Sequence, residues 1–189
     1  RIDEVIKTQS SIESPKNPVT VENHKGIIKF NHVDFRYPAA KEDVLSDIDF
    51  VVEPGKTTAI IGSTGCGKST LVNLIPRFYD VTGGSIELDG HDIRDYSLEE
   101  LRELIGFVPQ KGILFSGTIA SNLRFGKQDA TDDEIARAAE IAQAAEFIEN
   151  KNDRYDSSIA QGGANVSGGQ KQRLAIARAI AKNPRIYVF

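Results

Sequence analysis

Apolar residues fall two apart near the start of the chain, at Ile28 and Phe30 and then at Val33, Phe35 and Tyr37. That spacing predicts one or two half-buried strands within residues 26–37. A second alternating run, Ile48, Phe50 and Val52, ends at a Pro54-Gly55 turn, and a third covers residues 85–88 between Gly83-Gly84 and Asp89-Gly90. Short alternating strands of this kind predict an antiparallel sheet. Two other runs are apolar without alternation. Residues 57–61 (TTAII) predict a buried parallel strand, and residues 105–108 (IGFV) predict another, which stops at Pro109-Gln110.

Helical spacing begins after residue 67, where Leu71, Leu74 and Ile75 share one face until Pro76 ends the pattern. Ser97 with Glu100 reads as a capping box opening a short helix to about Leu104, and Thr131 with Glu134 reads as a second. The second precedes an alanine-rich amphipathic stretch carrying Ile135, Ala138, Ala139, Ile141 and Ala142. Strand signals fade from residue 111 to about 165, which predicts an inserted helical subdomain. A glycine-rich loop at 161–170 then opens a helix that Asn183-Pro184 closes, and residues 185–189 start one more buried strand. At the other end, RIDEVI fits the last turns of a helix, and the polar, proline-bearing residues up to 25 read as a linker.

Composition narrows the function classes. The 189 residues suit one large domain, or a small domain with a subdomain. A net charge of −4 and the lack of any Lys/Arg-rich run offer no footprint for nucleic acid. The single cysteine, Cys66, excludes an intramolecular disulfide and suits a reducing compartment. No stretch approaches the roughly 20 apolar residues of a membrane span. The chain starts at Arg1 rather than methionine and stops at Phe189 in mid-strand, so a piece of a longer protein is expected.

The chemistry concentrates between the apolar run at 57–61 and the helix after it. Gly62-Ser63-Thr64-Gly65-Cys66-Gly67-Lys68-Ser69 fits G-x-x-x-x-G-K-[ST] at every fixed position. A polyphosphate is held by many backbone N–H groups at once, and side chains on the glycines would keep the backbone away. The opening helix adds its positive end, Lys68 can reach the β- and γ-phosphates, and the Ser69 hydroxyl suits Mg²⁺. A nucleoside triphosphate site follows. Elsewhere, His24, His32 and His91 are scattered without metal-ligand spacing, and Asp132-Asp133 and Glu99-Glu100 lie in first helical turns, where the macrodipole favours carboxylates.

A second set of residues makes the match specific. Val166-Ser167-Gly168-Gly169-Gln170 resembles the LSGGQ signature of ABC-type ATPases, with Val166 in place of the leucine. The loop at 62–69 resembles their Walker A, Gln110 sits where their Q-loop glutamine belongs, and Tyr37 matches the aromatic that stacks on adenine. The resemblance covers residues 26–189. It implies an α/β fold: a P-loop NTPase (RecA-like) core with an antiparallel β subdomain and an inserted α-helical subdomain, about 111–170, that carries the signature loop. Residues 112–119 and 122–124 resemble exporters, in which a transmembrane domain precedes the ATPase on one chain. Residues 1–25 would then be the linker following that domain, at the cytoplasmic face of the cell membrane. Gln161-Gly162-Gly163-Ala164-Asn165 departs from the usual acidic-glycine loop and is similar to one subunit of bacterial heterodimeric exporters.

The resemblance also assigns roles. ATP and Mg²⁺ are implied, with Tyr37, Gly62, Ser63, Thr64, Gly65, Cys66, Gly67, Lys68, Ser69 and Thr70 around the nucleotide and Ser69 and Gln110 on the metal. Lys68 and Gln110 are the catalytic candidates. Ser167, Gly168, Gly169 and Gln170 would meet the γ-phosphate of a second ABC ATPase domain in a head-to-tail homo- or heterodimer. Read alone, the same four residues are a glycine turn with a serine cap. The family's Walker B aspartate, catalytic glutamate and switch histidine would follow Phe189, so this stretch alone is expected to be inactive. A P-loop GTPase or kinase is a competing class, although no N-K-x-D guanine motif occurs. A soluble ABC protein of DNA repair would call for coiled-coil insertions, and a pure nucleotide binder or regulatory partner is the non-enzyme alternative.

Overall fold

The computed structural model describes residues 10–189, so the expected helix at RIDEVI lies outside the described residues. The chain forms two units, one up to Leu104 and one from Ile105 to Phe189.

The first unit is built on the antiparallel sheet that the alternation predicts. Its strands are β1 (Ile28–Phe35), β2 (Leu45–Val52), β3 (Gly83–Leu88) and the two-residue β4 (His91–Asp92), in the order β2-β1-β3-β4. β1 is one strand, yet its buried positions switch from Ile28 and Phe30 to Val33 and Phe35. The register shifts between Phe30 and Val33 against β2, and between Asn31 and Asp34 against β3. His32 takes up the extra residue with φ of 45°, opposite Asp47 at 51°. An added residue inverts which side chains face the core, and a bulge absorbs it. The β3 side of that bulge requires glycine: a Cβ on Gly84, at φ +69°, would lie 2.2 Å from the His32 carbonyl oxygen.

Helix α1 (Lys68–Leu74) buries Leu71 and Leu74, as its spacing predicts, and Ile75 caps it. α2 (Leu98–Glu103) opens on Ser97, whose hydroxyl accepts from the Glu100 N–H at 3.1 Å. Only that half of the expected box forms, because the Glu100 carboxylate turns toward His24, 3.5 Å from Nε2. Residues 10–25 have no helix or strand, yet they are anchored along 89–98. Ser14 Oγ accepts from the Leu98 N–H (2.9 Å) and Val19 donates to the Asp95 carbonyl (2.9 Å). The Asp89 carboxylate accepts from the N–H groups of Lys25, Gly26 and Ile27 at 2.9–3.2 Å.

The expected strand at 57–61 does not form. These residues join no ladder among the described residues and are exposed, Ile60 at 39% and Ile61 at 90%. A five-residue parallel strand owes its stability to ladder partners and to cover on its faces, and apolar composition alone supplies neither. The antiparallel ladder of this unit ends with β2 on one side and β4 on the other.

The second unit pairs β5 (Ile105–Phe107) in parallel with β8 (Ile186–Val188). Ile105, Gly106, Ile186 and Val188 are buried. The last strand is not buried throughout, since Tyr187 and Phe189 face outward and stack on each other at 6.0 Å. Between these strands come α3 (Ile119–Leu123), α4 (Asp132–Ile141), α5 (Ala145–Glu149) and α6 (Gly168–Lys182). A two-residue antiparallel ladder, β6 (Gly117–Thr118) with β7 (Ser158–Ile159), joins the two ends of the helical insertion; nothing in the sequence pattern announced it. Thr131 and Glu134 make both bonds of the predicted capping box. Ile135, Ala138 and Ala139 are buried, but Ile141, expected with them, is 57% exposed at the helix end. α6 ends on Asn183, at φ 54°, one residue before Pro184.

Candidate nucleotide-binding site

In the first unit the glycine loop leads directly into α1. Gly67 is its last non-helical residue, at φ 89° and ψ 6°. A Cβ there would meet Leu45 Cδ2 at 2.9 Å and the Val44 carbonyl oxygen at 3.2 Å, so only glycine lets the loop lie against the start of β2. Lys68 turns back over the loop: its ammonium donates to the carbonyls of Gly62 (2.9 Å) and Ser63 (2.7 Å) and lies 3.6 Å from Cys66 Sγ. The charge is thereby held at the mouth of the loop. Residues 62–66 and Ser69 are exposed. A concave run of open backbone with one fixed ammonium fits a polyphosphate, and an exposed hydroxyl oxygen is a hard donor of the kind Mg²⁺ takes.

Tyr37 belongs to the same unit. It opens a turn closed by the Ala40 N–H on its carbonyl (3.0 Å), and its hydroxyl lies 3.0 Å from Thr70 Oγ1 in α1. Its ring is half-buried in a cluster with Phe35 and Tyr79. Of the candidates at 62–70, Tyr37 meets Thr70 directly.

The second unit holds the remaining candidates. Gln110 is exposed just beyond β5. The chain after it runs close to the start of α6, where a Cβ on Gly112 would lie 2.9 Å from the Lys171 carbonyl oxygen. Ser167 is the N-cap of α6. Its hydroxyl oxygen accepts from the Gln170 N–H (3.2 Å), while Gln170 Oε1 accepts from the Ser167 N–H (3.0 Å). The serine cap is therefore real, and it uses a lone pair of the hydroxyl, leaving the O–H proton as a donor. A Cβ on Gly168 or Gly169 would meet nothing within 4 Å, so the backbone here is open to approach. Val166, the departure from the usual leucine, is buried in the same apolar cluster as Leu114, Ile159 and Leu174.

Two residues to which the sequence reading gave no structural role shape this region. Asn122 is 1% exposed, and its amide binds the Phe115 N–H (2.9 Å) and the carbonyls of Phe115 (2.8 Å) and Thr118 (3.0 Å). Arg178 donates to the Ile113 carbonyl (3.0 Å), the Asn122 carbonyl (2.9 Å) and Asn122 Oδ1 (2.8 Å), and lies over the rings of Phe115 and Phe125. Burial pulls its pKa below the usual arginine value. Together they fix the loop that follows Gln110. Their immediate sequence surroundings, Ser121-Asn122-Leu123-Arg124 for the asparagine, give no local sign of this role.

A glycine phosphate loop that opens a helix, in an α/β fold with a serine-capped glycine loop ahead of a second helix, defines a P-loop nucleotide-binding ATPase domain. The chain matches the ABC transporter family over residues 45–189 and belongs to it. An ABC transporter ATP-binding protein of Mycobacterium tuberculosis is 48% identical over 193 residues, spanning 100% of this chain and 33% of that protein. A Staphylococcus aureus protein named for multidrug export, an ATP-binding/permease protein, is 47% identical over 168 residues, 89% of this chain and 29% of its own. Among solved structures, a bacterial Atm1-family ABC exporter with ATP bound aligns with a TM-score of 0.90 at 38% identity, covering 97% of this chain and 32% of that one. The chain thus spans about a third of the length of the relatives it matches.

Proposed function

We propose that this chain is the ATP-binding and ATP-hydrolysing part of an ABC exporter, driving a substrate across a membrane from its cytoplasmic face. The observation that carries the reading is the Lys68 ammonium held on the carbonyls of Gly62 and Ser63, within a loop whose other residues are exposed. Relatives about three times as long, one of them named an ATP-binding/permease protein, support a transmembrane domain on the same parent chain. Residues 10–25 would serve as the linker to it.

In this reading Gly62 to Thr70 hold the triphosphate through backbone N–H groups, and Lys68 places its charge on the β- and γ-phosphates. Ser69 and Gln110 would hold Mg²⁺, which when bound neutralises charge on the transferring phosphoryl group. Tyr37 carries the adenine on its ring, a contact contributing roughly 1–3 kcal/mol. Ser167, Gly168 and Gly169 offer a hydroxyl proton, N–H groups and a positive helix end to the γ-phosphate of a second ABC ATPase domain, arranged head to tail. Gln110, assigned with Ser69 to the nucleotide of this chain's own glycine loop, would sense the γ-phosphate of that nucleotide beside the transmembrane partner. Residues 1–189 are thereby given nucleotide binding, and the family's water-orienting base is assigned to a position outside them.

Steady-state ATPase assays of the full-length protein test this. Lys68→Ala should abolish turnover while leaving the fold, because the lysine is a point charge on an exposed loop. Wild-type turnover in that variant would sink the assignment. The 189-residue chain should bind MgATP weakly and show no turnover above background. Robust hydrolysis by it, lost on Lys68→Ala, would place the base inside these residues.

A further inference from the structure

Tyr79 has no part in the reading so far, yet its surroundings are built with care. It sits between Arg77 and Asp80, which are locked to each other by two hydrogen bonds, Nε to Oδ1 at 2.7 Å and Nη2 to Oδ2 at 3.2 Å. Arg77 is buried and holds φ at 54°, and its guanidinium also reaches the Arg94 carbonyl at 3.4 Å. The Arg77 N–H donates to Leu74 (3.0 Å) and the Phe78 N–H to Asn73 (3.2 Å), tying the turn to the end of α1. A non-glycine residue kept in the left-handed region by a half-buried ion pair is backbone that its surroundings over-determine. The side chain this turn presents is Tyr79, 36% exposed.

That ring meets Tyr37 edge-on, at 5.2 Å between centroids and 88° between planes. Phe35, which is buried, meets Tyr37 at 4.9 Å and 82°, and Tyr79 meets Phe35 at 5.6 Å. Two perpendicular neighbours fix the plane of the Tyr37 ring. The bond from its hydroxyl to Thr70, itself 6% exposed, fixes the direction of the ring within that plane. Thr70 follows Lys68 and Ser69 in α1, so the platform is referenced to the helix that carries the phosphate-binding residues.

We propose that Tyr79 is a further positioning residue for the nucleotide, holding the Tyr37 ring at the angle and distance from α1 at which a base stacks while its phosphates lie in the glycine loop. The inference rests on the reading of Tyr37 as the base platform. A ring platform recognises the π-face of a base and not its edge, so the ligand class is nucleoside triphosphates without discrimination between adenine and guanine. The ring contacts of Tyr79 are to Tyr37 and Phe35, so its proposed part is in base binding alone.

Equilibrium binding to the full-length protein, with ATP, GTP and inorganic tripolyphosphate as probes, tests this. An edge-to-face pair accounts for about a three- to tenfold change in affinity. Tyr79→Ala should weaken ATP and GTP by about that factor, leave tripolyphosphate unchanged, and raise KM for ATP with kcat retained. Tyr79→Phe, which keeps the ring, should restore wild-type values, and Tyr79→Leu, which keeps apolar volume without the ring, should not. Equal losses for ATP and tripolyphosphate in both Tyr79→Ala and Tyr79→Leu would assign Tyr79 a merely structural role and overturn the proposal. Unchanged ATP affinity in those variants, with a loss in Tyr37→Ala, would overturn it while keeping Tyr37 as platform. Unchanged ATP affinity in Tyr37→Ala would remove the platform reading and this inference with it.

Discussion

His32 shows how one side chain can hold an irregular point in a sheet. Its Nδ1 lies 2.6 Å from Asp47 Oδ1 and its Nε2 3.7 Å from Asp49, across the bulge where both His32 and Asp47 take positive φ. The hydrogen bond to Asp47 raises the imidazole above its ordinary pKa of 6.5, and the charges of Asp47 and Asp49 add to the effect. A raised value in the folded protein means that the stabilisation is fully present below 6.5 and fades as pH climbs through the folded value. The pair is solvent-exposed, so the effect is small. Wild type and His32→Asn should differ in stability at pH 6 and converge above pH 8, as denaturant unfolding at several pH values would show. A constant difference across that range would mean that the imidazole acts by packing. The parity change from Phe30 to Val33 was visible in the sequence, but its cause was not: a bulge is chosen by backbone that both strands share, and only the pairing reveals it.

Among elements, α4 and α6 begin in the same way and make a controlled comparison. Thr131 with Glu134 and Ser167 with Gln170 form full capping boxes. Replacing either hydroxyl residue by alanine should cost about 0.5–2 kcal/mol of stability. In the full-length protein only Ser167→Ala should also lower ATP turnover beyond what the stability loss explains, whereas Thr131→Ala should keep it. Equal turnover in the two variants would reduce Ser167 to a plain cap. The start of α4 was legible because a box is a local pattern of two residues three apart, and the start of α6 because a glycine-rich loop with a serine cap precedes it. The run at 57–61 was misread for the opposite reason: whether TTAII becomes a strand depends on what lies alongside it, and Ile61 stands 90% exposed. The β6–β7 pair was illegible because two residues per strand carry no period and the strands lie about forty residues apart. The pairing of Asn122 with Arg178 escaped notice because they are 56 residues apart and meet only once the helical insertion has folded.

At the scale of the whole molecule, the glycine loop, Gln110 and the signature could be picked out from the sequence because each depends on a few adjacent residues. The anchoring of residues 10–27 could not, since its partners lie more than sixty residues away. Asp89 is the strongest fixture, taking three N–H groups on one carboxylate. Asp89→Ala should cost about 2–4 kcal/mol and expose the amides of Lys25, Gly26 and Ile27 to rapid hydrogen exchange. Unchanged protection there would show that β1 alone orders the segment. The anchors are met one after another along the chain, first Ser14, then Val19, then the cluster at 25–27. A tensile load entering from the N-terminal side therefore does not strain them together. It peels them in sequence, each release lengthening the lever on the next, until it reaches Asp89 and the start of β1, an interior strand of the sheet. The segment would yield to a weak pull and then stop abruptly, a slack tether in series with a stiff one.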